Sequence, residues 1–153
     1  MVQTPTTPIT LEGFLKLPET KPASEYIDGK IIQKSMPQGK HSTIQGELVP
    51  AINTFLKPPK IGRAFPELRC TFGGRSIVPD VAVFRWSRIK VTEKGRIANK
   101  FNIHPDWCIE ILSPEQSQTQ VLEKLLFCSQ HGTELGWLII LEEDCILSVN
   151  NNQ

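Results

Sequence analysis

The apolar positions of this chain change period several times, and each change marks an element. Thr10 precedes Leu11, Phe14, Leu15 and Leu17, which predicts a short capped helix ended by Pro18. Glu25 to Ile32 reads as two short strands joined by Asp28-Gly29, a strong two-residue hairpin signal. After a Pro/Gly-containing loop, Ser35 to Lys40, the residues Ile44, Leu48, Ile52 and Leu56 recur every fourth position. That stripe predicts a helix from His41 to Leu56, closed by Lys57-Pro58-Pro59-Lys60. Pro50 lies inside it and lacks the amide that would bond back to Gly46, so a kink or break is expected there.

From Ile61 onward the pattern turns to strands. Ala64 to Phe72 is one candidate, with Pro66 marking an edge or bulge; Gly73 to Ser76 is the turn; Ile77 to Phe84 returns. The polar stretch Arg85 to His104 is loop-like, and Trp107 to Leu112 is apolar enough for a central strand covered on both faces. Ser113-Pro114-Glu115-Gln116 has the residues of a helix start: a capping Ser, Pro at the first position and Gln three residues on. The helix is expected to reach about His131, with Val121, Leu122, Leu125, Leu126 and Ser129 inward and Gly132 as the stop. Trp137 to Leu141 and Cys145 to Val149 complete the strands. This order is that of a mixed α/β domain over residues 10–149, with residues 1–9 and 150–153 expected to be flexible. At 153 residues and 39% apolar content, the chain can bury one core.

Several classes drop out. No stretch approaches the roughly 20 apolar residues of a membrane span. Met1 to Thr10 has neither a basic nor an apolar leader region, so a cytoplasmic protein is expected. Cys70, Cys108, Cys128 and Cys145 form no CxxC pair and read as reduced cysteines packed as small apolar residues. With His41, His104 and His131 equally scattered, a metal would have to be a hard one held by carboxylates.

The net charge of +1 argues at first against a polyanionic partner, but it conceals a partition. Residues 1–100 carry 16 Lys and Arg against 8 acids, whereas residues 101–153 carry 8 acids and a single basic residue, Lys124. Eleven of the basic residues fall within 57–100, a density that suits either a phosphate backbone or a solvated basic hairpin balanced by the acidic half.

Two carboxylates sit inside apolar strands: Asp80 between Pro79 and Val81, and Glu110 between Ile109 and Ile111. A buried carboxylate costs several kcal/mol unless it is paired, hydrogen-bonded or bound to metal. Two acids on adjacent strands would hold Mg²⁺, which takes one or two carboxylates with water and substrate phosphate. Strand-end acids that face water or pair with arginine would read the same way. Lys124 falls about 130° from the centre of its helix's apolar stripe, where its stem could bring an ammonium to the sheet or simply lie along the surface.

Together, Glu25…Asp28-Gly29, His41, Pro79-Asp80-Val81-Ala82-Val83, Ile109-Glu110-Ile111-Leu112-Ser113-Pro114, Lys124, Gly132 and Trp137 resemble the Uma-two family of restriction-endonuclease-like proteins, within the PD-(D/E)xK nuclease superfamily. The resemblance covers about residues 10–141 and implies a restriction-endonuclease-like core: a mixed β-sheet flanked by helices, with an N-terminal helix and β-hairpin. It also implies a Mg²⁺- or Mn²⁺-dependent DNA endonuclease. Asp80 and Glu110 would be the metal ligands together with the carbonyl of Ile111. Leu112 stands where the superfamily has its lysine, and Lys124 in the following helix would replace it as the residue that positions water. Glu25 matches a further acid of the family, and His41 a position at a helix start that contacts metal-bound water or phosphate.

Two departures follow from the same resemblance. Cys128 stands where related chains carry Tyr, and the family continues for further strands beyond Asn150. An open sheet edge would be a surface for a homodimer and would weaken the fold. The activity competing with cleavage is DNA binding, or protein interaction, by a nuclease fold without turnover. In both readings the basic segment 57–100 faces the DNA backbone.

Overall fold

Thr10 caps the first helix, its hydroxyl accepting the Gly13 amide at 3.0 Å, and α1 runs Leu11–Leu15. In this computed structural model, which describes residues 8–151, β1 (Ser24–Ile27) and β2 (Lys30–Gln33) follow as an antiparallel hairpin. Asp28 and Gly29 take φ of 51° and 81°, the left-handed pair that a two-residue hairpin turn needs to match strand twist. The flexible termini expected at residues 1–9 and 150–153 lie mostly outside the described residues, since 1–7 and 152–153 are not among them.

α2 (Gly39–Leu56) corrects the expected break: it runs unbroken through Pro50. Both Pro50 and Gly46 are exposed, so the carbonyl deprived of its partner faces water, and Gly46 has no side chain to crowd the ring. The two long strands expected at 64–72 and 77–84 are each divided. β3 (Gly62–Pro66) and β6 (Val81–Arg85) pair in one sheet, while β4 (Cys70–Phe72) and β5 (Arg75–Ile77) pair in another. Each leg of this hairpin therefore crosses between sheets. The crossings fall where proline removes a ladder donor, at Pro66 with Glu67 in left-handed geometry (φ 47°), and at Pro79-Asp80.

β7 (Trp107–Ile111) is central, as its apolar sequence requires, and connects through α3 (Gln118–Gln130) to a parallel neighbour, β8 (Leu135–Ile140). β9 (Cys145–Asn150) returns antiparallel as the outer strand, with Ile146 half exposed. The α3 start differs from expectation by four residues. Ser113 and Gln116 close a separate turn, with the Ser113 amide donating to Gln116 Oε1 at 2.9 Å, and Ser117 is the cap, accepting from Gln120. The buried face of α3 also differs. Val121, Lys124, Leu125, Phe127 and Cys128 face inward, while Leu126 is exposed.

The small sheet has order β2-β1-β5-β4 and the larger one β3-β6-β7-β8-β9. Alternation along the strands gives the larger sheet two covered faces. Val81, Val83, Ile109 and Ile111 pack with Ile52 of α2. Ala82, Phe84, Cys108 and Leu138 pack on the other face with α3 and with Cys70 and Ile77 of the small sheet. Each such aliphatic side chain stabilises the fold by about 1.5–3 kcal/mol on burial. All four cysteines are free, and Cys70, Cys108 and Cys128 are buried in this second core. Among the described residues no helix is long and apolar enough to cross a membrane.

Candidate active site

The register of β6 on β7 pairs Val81 with Ile109 and Ala82 with Cys108. Continued by one residue, it sets Asp80 opposite Glu110, at a position where cross-strand Cβ atoms lie about 5 Å apart. Both residues fall where the two sheets diverge, and both are 2% exposed. Strand parity points Glu110 to the same face as Cys108, toward α3, and there it meets Lys124.

Asp80 is held from four sides. Its Oδ2 accepts the Ile111 amide at 2.7 Å and lies 3.2 Å from His41 Nε2, while Oδ1 accepts from Lys34 Nζ at 2.8 Å. Its own carbonyl accepts from Gln45 Nε2 at 2.8 Å. His41 and Gln45 are four residues apart and so share one face of α2. Burial alone would raise the Asp80 carboxyl, but His41 and Lys34 hold it well below the usual carboxylate range. In return, the hydrogen bond to Asp80 raises the His41 imidazole above its ordinary value. His41 Nδ1 is buried and finds no hydrogen-bond partner among the described residues.

A second cluster lies behind the first. Lys124 Nζ sits 2.5 Å from Glu110 Oε1 and 2.5 Å from Glu25 Oε2, and all three side chains are nearly inaccessible. Glu25 Oε2 also accepts the Val78 amide at 2.7 Å, tying β1 to the crossing that delivers Asp80. Burial opposes the Lys124 ammonium, yet Glu110 and Glu25 raise it well above the ordinary lysine value. Burial pushes the Glu110 carboxyl up to about 8 in spite of Lys124. Glu110 Oε1 is close to the ammonium but makes no hydrogen bond of good geometry.

A cleft of about 360 Å³ opens over this group, lined by Asp80, Lys34, His41, Gln45, Glu67 and Arg69 among others. Glu110, Lys124 and Glu25 do not line it and lie beneath its floor. The structure thus brings all five residues singled out in the sequence into two neighbouring ionic clusters, Asp80 with His41, and Glu25 and Glu110 with Lys124. Lys34 and Gln45 join them unannounced. Lys34 donates to the Val78 carbonyl at 2.6 Å as well as to Asp80, and burial of its ammonium is more than offset by Glu110 and Asp80, which raise it. The only sequence sign of Lys34 is arithmetic: three buried acids need more positive charge than Lys124 and one imidazole supply. Gln45 could have been found from its spacing to His41.

The basic segment 57–100 is split by the fold. Arg69 pairs with Glu19, Arg75 with Asp28 and Glu123, Arg85 with Glu134, and Arg88 with Asp106. Lys57, Lys60, Lys90, Lys94, Arg96 and Lys100 are exposed and form no ion pair among the described residues.

Comparison with known proteins places the chain in a family. The family model Uma2, described as "putative restriction endonuclease", matches residues 11–151. Five chains of solved structures match. One is the crystal structure of a "putative nuclease belonging to DUF820" from Anabaena variabilis, 62% identical with a TM-score of 0.93, covering 95% of this chain and 82% of its own. No curated protein matches.

Proposed function

The chain belongs to the Uma2 family, which gives it a nuclease-type function and a restriction-endonuclease-like fold, and from that premise we propose that it is a divalent-metal-dependent endonuclease that hydrolyses DNA phosphodiester bonds in the cleft over Asp80 and Glu110. The observation that carries this reading is the opposition of two buried carboxylates, Asp80 just before β6 and Glu110 in β7, with Lys34 from beyond β2 and Lys124 from α3 drawn to them.

The donor set suits a hard cation in kind. The carboxylates of Asp80 and Glu110 and the carbonyl of Ile111 are hard oxygens of the kind Mg²⁺ or Mn²⁺ takes, and a cation at Glu110 would share it with the Lys124 ammonium 2.5 Å from Oε1. Among the described residues no three His, Cys, Asp or Glu side chains form a complete protein cage, so substrate and water would supply the remaining positions. Asp80, Glu110 and the Ile111 carbonyl would hold the ion. When bound, it supplies Lewis-acid activation of water and phosphate.

The chain's own groups divide the remaining work. Lys124 is a positioning residue: outside the cleft lining, it balances and holds the Glu110 and Glu25 carboxylates. Lys34 is the ammonium that faces the cleft, placed to neutralise phosphate charge. His41, whose imidazole is raised above its ordinary value by its hydrogen bond to Asp80, lines the cleft and offers a second donor. Glu25 braces the Val78–Asp80 crossing.

The test is plasmid nicking by purified protein with Mg²⁺ or Mn²⁺. Wild type should nick and Asp80→Asn should lose at least about a hundredfold of the rate, as loss of a metal-binding carboxylate does. One observation favours a second reading, DNA binding without turnover: both Asp80 oxygens are already satisfied inside the protein. DNA binding with no metal-dependent nicking by wild type would select it.

A further inference from the structure

Arg69 lines the same cleft as Asp80, and its guanidinium is fixed by groups that need no charge on their side. Nη1 donates to Ser76 Oγ at 3.1 Å, Nη2 donates to the Ser24 carbonyl at 2.8 Å, and the guanidinium carbon sits 5.2 Å from the centre of the Phe14 ring. Elements as distant as α1, β1 and β5 therefore hold it. Its remaining edge is occupied by Glu19, with Nε donating to Oε2 at 3.0 Å and Nη2 to Oε1 at 2.6 Å.

The two partners are unequally placed. The Arg69 side chain is 18% exposed and the Glu19 side chain 71%. Glu19 lies in the segment between α1 and β1 and reaches Arg69 from the solvent side, as a paired surface carboxylate that contributes little to stability. A planar two-oxygen acceptor on the Nε/Nη2 edge of arginine is also how a phosphodiester is held. We propose that Arg69 is a phosphate-binding residue of this cleft and that Glu19 is a built-in stand-in which a DNA backbone phosphate displaces. The identity of the anion rests on the nuclease reading above.

The position fits a continuous substrate. Glu19, Thr20 and Arg69 line both the cleft and a neighbouring groove of about 690 Å³ that includes Phe14, Thr71 and Lys100. The ion pair is the partition between the two spaces. A phosphate on Arg69 in place of Glu19 would let the nucleic-acid backbone pass from the cleft toward Lys100, one of the cations without an ion pair among the described residues.

The experiment measures binding, with no cleavage required. A fluorescent duplex is titrated with the full chain in EDTA by anisotropy, for wild type, Glu19→Gln, Arg69→Gln and the double variant. Glu19→Gln should tighten binding by about threefold to tenfold, and the gain should vanish when Arg69 is also replaced. A Glu19→Gln affinity within twofold of wild type, or a gain that persists without Arg69, would overturn the proposal. Should the Arg69 variants fail to fold, by circular dichroism, Glu19→Gln alone decides, because it leaves every other Arg69 contact intact. If no duplex binding is seen, inorganic phosphate replaces the probe. Phosphate should then raise the melting temperature of Glu19→Gln more than that of wild type, and equal shifts would overturn the proposal. Nicking assays that fail while these affinities behave as stated would refute the endonuclease reading and leave the Arg69 subsite standing.

Discussion

Replacing Lys124 by Met would remove a buried ammonium and leave Glu25 and Glu110 facing each other without it. At 2.5 Å, the Lys124–Glu25 pair, and the Lys124–Glu110 pair once Glu110 ionises toward pH 8, each has a gross Coulomb attraction of about 7 kcal/mol at an effective dielectric of 20. Taking three charges out of water offsets most of that sum, so the network as a whole adds little net stability. Removing one member is a different matter, because the desolvation of the carboxylates stays while their partner is gone. The expected loss is about 3–5 kcal/mol, a large share of the 5–15 kcal/mol typical of a domain. For a chain of this length that corresponds to a melting temperature lower by roughly 10 °C. Urea denaturation followed by far-ultraviolet circular dichroism should show a lower midpoint with an unchanged slope. The loss should also be greater at pH 8 than at pH 5, because the ammonium is what allows the buried Glu110 to ionise at all. Adding Glu110→Gln should recover part of the loss. A Lys124→Met protein within about 1 kcal/mol of wild type at pH 8 would show that the carboxylates are solvated or neutral, and the ionic network described here would be wrong.

Three further outcomes are expected. Glu110, pushed from 4.5 up to about 8, keeps a proton in the folded protein that the unfolded chain has released, so stability present below pH 4.5 should be lost as pH rises toward 8. Glu110→Gln should flatten that decline in a pH series of urea melts, and an unchanged slope would contradict the burial of this group. Lys34 Nζ occupies Asp80 Oδ1, so Lys34→Met should bind Mn²⁺ more tightly, by about tenfold in calorimetric titration, while nicking falls; weaker Mn²⁺ binding would argue that the ion does not meet Asp80. Lys100 forms no ion pair among the described residues and lines the cleft's neighbouring groove, and Arg85 is tied to Glu134. Lys100→Ala should accordingly reduce the salt slope of DNA binding by about 0.9, and Arg85→Ala should leave it unchanged.

Much of the frame was legible in the sequence because local chemistry decides it. Asp28-Gly29 can close only a tight hairpin, Thr10 can cap α1, and the apolar run at 107–111 fits only a covered strand. The anomalous acids Asp80 and Glu110 were visible for the same reason, since a carboxylate flanked by Val, Ile and Pro stands out without any structure. Where expectation and structure part, a non-local force prevails. The sequence reads Ser113 as the cap, and that Ser117 takes the role is seen only in the folded turn, where the Ser113 amide bonds Gln116. Helical periodicity placed Lys124 on the border of its stripe, but Glu25 and Glu110 turn that face inward and leave Leu126 in water.

What the sequence determined by itself is thus a set of elements, a domain class, and two acids in need of cations. Tertiary structure decided which cations they receive. Lys34 lies 46 residues from Asp80, and Glu25 lies 53 residues from the Val78 amide it accepts, distances along the chain that no periodicity encodes. Their meeting depends on the double crossing of β3–β4 and β5–β6 between two sheets, which opens the sheet at Asp80 and lets β1, β2 and α2 converge there. The basic stretch shows the same division. Its charge is written in the sequence, but the acidic residues that neutralise four of its arginines are assigned only by the fold.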